Sequence, residues 1–496
     1  MSTQSRDFRG VIRPVGAVVL GIGVMIALCA GVGMLWDQFA PDPTRPQGGA
    51  AELALSAIIV SILGLAAFLY GGRFVSERIS RREALLAVSL IWIAAGACGA
   101  VPFMLGAGMP AADAFFESVS GLTTTGATVI VDIEGRLSRP LLLWRSLIQW
   151  LGGMGIVVLF VAVFPNLGAG GKHLFRGEVP GTTAEGLRPR IAETSFTLWK
   201  LYGAFTIIEI ALLKVLGLDL FDAVCHAFTT MSTGGFSTLD SSVGGFDSAA
   251  VEYVIACFML IGSVNYGLYY GLLRSGSWKT LVRNIEFRSY VGIVVVAVVV
   301  LTVLNLSVHD ELLTSFRYSF FMVATTISST GYGTDDYSAY SSTALSIVIL
   351  LMFVGGCSGS TAGGIKIERA VLMGKQAIAQ IQKSFRPATV QLVRMGKVAI
   401  NNQVLADVGS FFLIYMGCIG FGLLFVTLVE GVPAPTAFGT MLTCLSNMGP
   451  APFHVGPDNF STYSAGSKLF FSMAMLLGRL EFFTLFALIL PGFWRR

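Results

Sequence analysis

Charge is scarce in this chain: Asp, Glu, Lys and Arg together supply only 12% of its residues. So thin a charged fraction does not fit a soluble globular protein. Histidine occurs four times, at dispersed positions, and forms no metal cluster. The seven cysteines (Cys29, Cys98, Cys225, Cys257, Cys357, Cys418, Cys444) stand apart with no CxxC pair. They imply neither a disulfide framework nor a zinc site. A membrane-embedded enzyme would need a convergent nucleophile, base or metal cluster, and none is visible. Short alternating segments, the mark of a transmembrane β-barrel, do not dominate. The net charge of +4 is spread over separate loops and gives no basis for a nucleic-acid partner.

What is abundant is apolar. Hydrophobic residues make up 54% of the 496, and the mean hydropathy is +0.74. Runs of about 20 apolar residues, enough to cross a hydrocarbon core, recur along the whole length. The chain therefore reads as an all-α polytopic protein of the lipid bilayer. Arg6, Arg9 and Arg13 precede the first run, which lacks a small-residue cleavage site and reads as a retained helix. Residues 15–35 and 53–70 are the first two expected spans. A Pro-rich loop with Asp37, Asp42 and Glu52 joins them, and Arg73, Arg78, Arg81 and Arg82 follow. By the positive-inside rule the N-terminus and the Arg78 loop face the cytoplasm.

Beyond this hairpin one stretch recurs. Thr123-Thr124-Thr125-Gly126-Ala127-Thr128 has variants at Ser232-Thr233-Gly234-Gly235-Phe236, Ser329-Thr330-Gly331-Tyr332-Gly333 and Asn447-Met448-Gly449-Pro450. Aligned on Gly126, Gly234, Gly331 and Gly449, the spacings are 108, 97 and 118 residues (234 − 126, 331 − 234, 449 − 331). Repeats of that length mean four similar units in one polypeptide. Each unit reads as a long helix, a short apolar segment, the Gly-containing loop and a second long helix. The expected segments are 84–105, 111–123 and 141–164; then 196–216, 220–231 and 249–272; then 290–306, 312–328 and a helix from 343 interrupted at Gly355; then 404–429, 436–445 and 467–490. Segments of roughly a dozen residues are too short to span and suit a re-entrant element. Their starts carry helix-initiating residues: Pro110 and Asp113, Asp219 and Asp222, Asp310 and Glu311, Pro433 and Pro435.

Exposed backbone at membrane depth is tolerable only where it lines a water- or ion-filled path. Four Thr/Gly loops around one axis could replace the hydration shell of a monovalent cation with carbonyl oxygens. Loop charge agrees with this arrangement. The connections 172–190, 274–288 and 366–397 are rich in Lys and Arg, and the chain ends Arg495-Arg496. Loops after the glycine segments hold instead Asp132 and Glu134, Asp240 and Asp247, Asp335 and Asp336, and Asp458. Both termini are thus expected in the cytoplasm and every glycine loop toward the outside, where acidic residues would concentrate cations or simply solvate the loops.

Two internal features stand out. Gly355-Gly356-Cys357-Ser358-Gly359-Ser360-Thr361-Ala362-Gly363-Gly364 interrupts an apolar run. Each glycine costs roughly 1 kcal/mol in a helix interior, so the stretch is expected to unwind. It is no phosphate loop, because Ile365-Lys366 follows Gly364 where Lys-Ser/Thr is required. Arg479 sits in the last apolar run, where a charge must face a polar interior or bond backbone carbonyls. Glu481 lies only two residues away and does not share a helix face with it. Glu209 and Lys214 read as structural or interfacial.

Four such units, one reading Thr330-Gly331-Tyr332-Gly333, resemble the Trk/Ktr/HKT superfamily of potassium-translocating proteins. The two additional N-terminal helices point to its TrkH/TrkG-like bacterial branch. The resemblance implies two N-terminal helices (1–78) and four pseudo-repeated helix–pore-loop–helix units (79–168, 190–275, 286–385, 400–496) around one pore. It implies an ion-binding filter of Thr124, Thr125, Gly126, Thr233, Gly234, Thr330, Gly331, Asn447, Met448 and Gly449, with K+ as the substrate ion and no bound cofactor. It makes 355–364 an intramembrane gate beneath the filter, with Arg479 as a fixed positive charge there; a packing kink and a structural arginine are the alternatives. It further implies a homodimer in the bacterial plasma membrane, working with a TrkA-like cytosolic nucleotide-binding ring. A serine at the first filter glycine accompanies sodium permeation in plant relatives, and Gly126 favours potassium here. Passive channel transport and sodium- or proton-coupled potassium symport both remain open at this point.

Overall fold

The computed structural model describes residues 8–39, 43, 45–74, 80–162, 187–387, 392–396, 398–450 and 459–495. Arg6, Arg78, Asp42, Lys397 and Asp458, and most of the basic 172–190 connection, lie outside the described residues. The described residues are mostly helical. Among the described residues six helices are long and apolar enough to cross a membrane, or up to eight if two bent pairs each count as one span. The only described strands form a two-residue antiparallel hairpin, Arg394–Met395 with Val398–Ala399, in register Arg394 to Ala399.

In chain order the principal helices are α1 (Ile12–Phe39), α2 (Ala50–Gly71), α3 (Arg81–Gly106), α4 (Ala111–Leu122), α5 (Arg139–Ala162), α6 (Leu187–Val215), α7 (Leu220–Met231), α8 (Ala249–Gly262) and α9 (Tyr266–Ser275). They continue with α10 (Ile285–Leu304), α11 (Leu312–Ile327), α12 (Ser342–Val354), α13 (Ile367–Phe385), α14 (Asn402–Glu430), α15 (Ala434–Ser446), α16 (Ala465–Leu480) and α17 (Phe482–Ile489). α1 and α2 pack as a close hairpin. A Cβ at Gly16 or Gly64 would run into the facing backbone, so these glycines set the helix separation.

The burial pattern is inverted relative to a soluble protein, because lipid rather than water is the outer solvent. Leu28, Leu55, Ile62, Val296 and Leu424 are exposed on the outer helices, whereas Ser118, Ser120, Thr229, Thr325 and Thr443 are buried. The four short helices α4, α7, α11 and α15 occupy the centre. The last three residues of each are buried.

Two expected spans are broken. Residues 249–272 do not form one helix: α8 and α9 meet at 85° across Ser263-Val264-Asn265. Asn265 Oδ1 caps α9 by accepting from Gly267 N. The freed backbone groups are taken up by the glycine-rich segment, since Cys357 N donates to Ser263 O and Tyr266 N to Gly359 O. Residues 467–490 likewise divide into α16 and α17, bent by 119° at Glu481, whose φ is 56°. An unwound residue at this depth persists only because neighbours satisfy it. The Glu481 carboxylate accepts from Arg369 Nη2 at 2.6 Å.

Candidate functional site

Each short helix ends in the same way. The amide of Thr123, Ser232 or Ser328 bonds four residues back, that of Thr124, Thr233 or Ser329 three back, and that of Thr125, Gly234 or Thr330 five back. The fourth unit repeats the last of these, with Met448 N on Thr443 O. Thr124, Thr233, Ser329 and Asn447 then take a left-handed conformation, φ 53–57°. Two residues later Gly126, Gly235, Gly331 and Gly449 do so again, φ 76–97°. Glycine takes such φ values without the Cβ penalty other residues incur.

This register corrects the sequence alignment at one position. The second-unit equivalent of Gly126, Gly331 and Gly449 is Gly235, and Gly234 corresponds to Thr125, Thr330 and Met448. Dihedral angles and backbone bonds agree on the shift. Residue type misled the alignment because unit two carries two adjacent glycines.

The four glycines close a ring. A Cβ on Gly126 would collide with Gly234 O, one on Gly235 with Thr330 O, and one on Gly331 with Met448 O. A Cβ on Gly449 would lie 2.8 Å from Thr125 O, which returns to the first loop. Each glycine thus leaves room for a carbonyl of the next unit, in the cyclic order one, two, three, four. Among the described residues no donor reaches the carbonyls at 124–126, 329–331 or 447–449. Buried carbonyls without partners are unusual, because leaving them unpaired costs free energy. At 233–235 one carbonyl, Gly234 O, accepts from Gln149 Nε2 at 2.7 Å.

Side chains behind the ring hold it. In units one, three and four a hydroxyl in the last turn of the short helix grips the loop seven residues on: Ser120 to Ala127 O (2.5 Å), Thr325 to Tyr332 O (3.1 Å) and Thr443 to Pro450 O (2.6 Å). The second unit departs from this: Thr229 Oγ1 meets the Tyr332 hydroxyl at 2.5 Å, tying loop three to α7. Asn447 Nδ2 donates to Thr125 Oγ1 and so links loops four and one. Three ion pairs brace the short helices from outside the ring. Lys468 and Asp113 (2.7 Å) join units four and one, Arg317 and Glu252 (2.5 Å) join units three and two, and Arg145 meets Glu117 (2.8 Å) within unit one. None of these pairs is legible as a motif, since the partners of the first lie 355 residues apart.

Arg145 and Glu117 are 2% and 0% exposed, and Arg145 also donates to Ser237 O and lies 3.6 Å from the Phe236 ring centroid. Removing one member leaves a buried charge without its partner. Arg145→Met is therefore expected to destabilise the protein by about 3 kcal/mol. Thermal unfolding in detergent checks this, with Glu117→Gln/Arg145→Met expected to recover part of the loss.

The outer loops use their acids partly as ties. Ile133 N donates to Asp240 Oδ1 at 2.7 Å and Asp240 N to Glu134 Oε2 at 3.2 Å, joining loops one and two. Asp336 keeps a solvated carboxylate: hydrogen bonds from the Ser338 hydroxyl and amide hold its pKa below the usual range.

Beneath the ring lies the glycine-rich segment, irregular from Gly355 to Lys366. Gly363 N donates to Ser329 Oγ (2.6 Å), Gly364 N to Ser446 O (3.1 Å) and Thr361 Oγ1 to Met231 O (3.2 Å). It is thus seated against the inner ends of units two, three and four. Arg479, 4% exposed, donates from Nη1 to Thr361 O (2.7 Å) and from Nη2 to Gly152 O (3.4 Å), reaching the side of unit one. Gly355 is confined to φ 67°, ψ −163°, and a Cβ there would collide with Gly363 O. On the inner face Ser358 N donates to the buried Glu286 (2.5 Å), and Lys366 Nζ donates to Ala362 O. Gly356, Cys357, Gly359, Ser360 and Ala362 complete this stretch, with Ser360 Oγ on Cys357 O.

Glu209 is fully buried on α6, with the Thr230 hydroxyl beside its carboxyl. An interfacial position is therefore incorrect for it. Lys214 Nζ donates to Leu218 O at the outer end of the same helix.

Comparison with known proteins agrees with this architecture. Residues 76–491 match the TrkH family, described as cation transport proteins. The chain is 36% identical over 493 residues to the Trk system potassium uptake protein TrkH of Salmonella typhimurium, covering 98% of this chain and 99% of that one. It is 39% identical to TrkH of Escherichia coli K12 over 84% of this chain and 87% of the relative. The crystal structure of the potassium transporter TrkH from Vibrio parahaemolyticus superposes with a TM-score of 0.88 at 32% identity, covering 99% of this chain and all of that one. With a matched region that spans most of the sequence and relatives similar over nearly its full length, the chain belongs to the TrkH family of cation transport proteins.

Proposed function

We propose that the protein mediates potassium uptake across the bacterial plasma membrane through the four-loop ring. The observation that carries the proposal is the closed ring of carbonyls at 124–126, 233–235, 329–331 and 447–449, all but one without a hydrogen-bond donor among the described residues. Such oxygens can exchange places with the water around a dehydrated monovalent cation. The proposal is supported by relatives named as potassium uptake proteins. In this reading units 79–168, 190–275, 286–385 and 400–496 each give one side of the filter, through Thr124, Thr125, Gly126, Thr233, Gly234, Gly235, Thr330, Gly331, Asn447, Met448 and Gly449.

The segment Gly355–Gly364 is the gate, and Arg479 both anchors it at Thr361 and places positive charge on the exit path. A homodimer and a TrkA-like cytosolic nucleotide-binding ring complete the working assembly, with both termini cytoplasmic. Transport is passive. Proton-coupled symport has one supporting feature, the fully buried Glu209 carboxyl within the second unit. Reversal potentials in proteoliposomes under K+/Na+ gradients test the proposal. The natural protein is expected to follow the K+ gradient at every pH, and Gly126→Ser to move the potential toward Na+. A reversal potential that tracks pH instead assigns the protein to the symporters. Absence of K+ current, with the cytosolic partner and nucleotide present, overturns the filter.

A further inference from the structure

Gln149 sits on α5, the last helix of unit one, yet serves the loop of unit two. It is fully buried. Its side-chain amide donates from Nε2 to Gly234 O (2.7 Å) and accepts at Oε1 from Phe236 N (3.1 Å), so the two bonds straddle Gly235. In the corrected register the other loops carry a side chain where unit two has Gly234: Thr125, Thr330 and Met448. A Cβ at Gly234 would run into the Gln149 amide. That amide therefore fills the volume a side chain occupies in the other three units.

The Gly234-Gly235 pair is the most conformationally free part of the ring, since two adjacent glycines lose the most entropy when fixed. A two-point amide bond confines it. It also makes the ring asymmetric: among the described residues, Gly234 O is the one carbonyl of the twelve ring positions that a donor holds. Arg145, one turn earlier on the same helix face, reaches Ser237 O and the Phe236 ring but neither ring glycine.

We infer that Gln149 is a specificity-determining positioning residue, which holds the unit-two carbonyl at the spacing a potassium-sized ion requires. The inference rests on the four-loop filter proposed above. Selection between cations depends on how many oxygens surround the ion and how firmly they keep their positions. Without the amide, the glycine pair is free to turn toward the axis and close on a smaller ion.

The test uses the full chain in proteoliposomes, with reversal potentials under K+/Na+ gradients for the natural protein, Gln149→Leu and Gly126→Ser. Gln149→Leu keeps the volume and removes both hydrogen bonds. It is expected to raise the Na+/K+ permeability ratio roughly fivefold, the scale of one lost hydrogen bond, while K+ current persists. A purely structural role would lower current without moving the ratio. If Gly126→Ser shifts the ratio and Gln149→Leu does not, the inference is overturned and the filter stands. If neither shifts it, the filter reading fails and takes this inference with it. Should Gln149→Leu not assemble, Gln149→Glu decides: it keeps the acceptor for Phe236 N and loses the donor to Gly234 O. An unchanged ratio in that variant overturns the inference.

Discussion

Gly235→Ala is expected to reduce potassium uptake about 100-fold, equivalent to ~3 kcal/mol, whereas Gly333→Ala is expected to leave it within about twofold. The contrast comes from the backbone. Gly235 has φ 76°, and a Cβ there would meet Thr330 O and its carbon. An alanine in the left-handed region costs roughly 1–2 kcal/mol by itself. The displaced Thr330 carbonyl adds to that, and it belongs to the neighbouring loop, so one substitution disturbs two sides of the ring. Gly333 is the second glycine of Gly331-Tyr332-Gly333, and a motif-based reading would rank it alongside Gly331. Its φ is not in the left-handed region, and a Cβ there would meet nothing within 4 Å. Flux into proteoliposomes at matched protein density separates the two. Equal losses at 235 and 333 would contradict the structural register.

The sequence carried the fold class and the loops of the candidate ring, because both rest on local composition. Apolar runs reported helices, and Thr/Gly stretches at intervals of about a hundred residues reported the four loops. What it could not report was geometry fixed by distant partners. Gly234 and Gly235 are indistinguishable by type, and only the dihedral pattern selects the second. The run 249–272 is apolar enough on average to read as one span, and Gly262, Ser263 and Asn265 within it do not by themselves fix the 85° bend that the glycine-rich segment stabilises. Asp113 reads singly as a helix-initiating residue, and Lys468, Arg317 and Glu252 belong to no motif, yet these side chains pair across neighbouring units. Gln149 carried no signal at all. A lone glutamine in an apolar helix becomes informative only once its two backbone partners are known. Glu209 reads in the sequence as structural or interfacial, and its full burial is not legible there.

Gly363→Ala is expected to act in the opposite direction, raising potassium flux without the cytosolic partner by about tenfold, or ~1.4 kcal/mol of lost closure. Gly363 N donates to Ser329 Oγ, and its neighbour Gly364 N donates to Ser446 O. Both acceptors lie beside the ring, and in the proposed gate these bonds seat the glycine-rich segment across the path. A Cβ at Gly363 would collide with Ser446 O and come within 3.2 Å of the Asn447 Cβ. Its φ lies outside the left-handed region, so the backbone itself accepts alanine and the penalty falls on the seated position alone. A segment released from its seat lies away from the path, and so the substitution favours the open arrangement. Arg479→Gln is expected to act in the same direction, since it weakens the hold on Thr361 O and removes a positive charge that opposes cation exit. The sign separates the two layers of glycines: alanine in the ring closes the protein to potassium, and alanine in the segment below opens it. A Gly363→Ala variant as inactive as Gly235→Ala would instead make residues 355–364 part of the structural core, and the packing-kink reading would replace the gate.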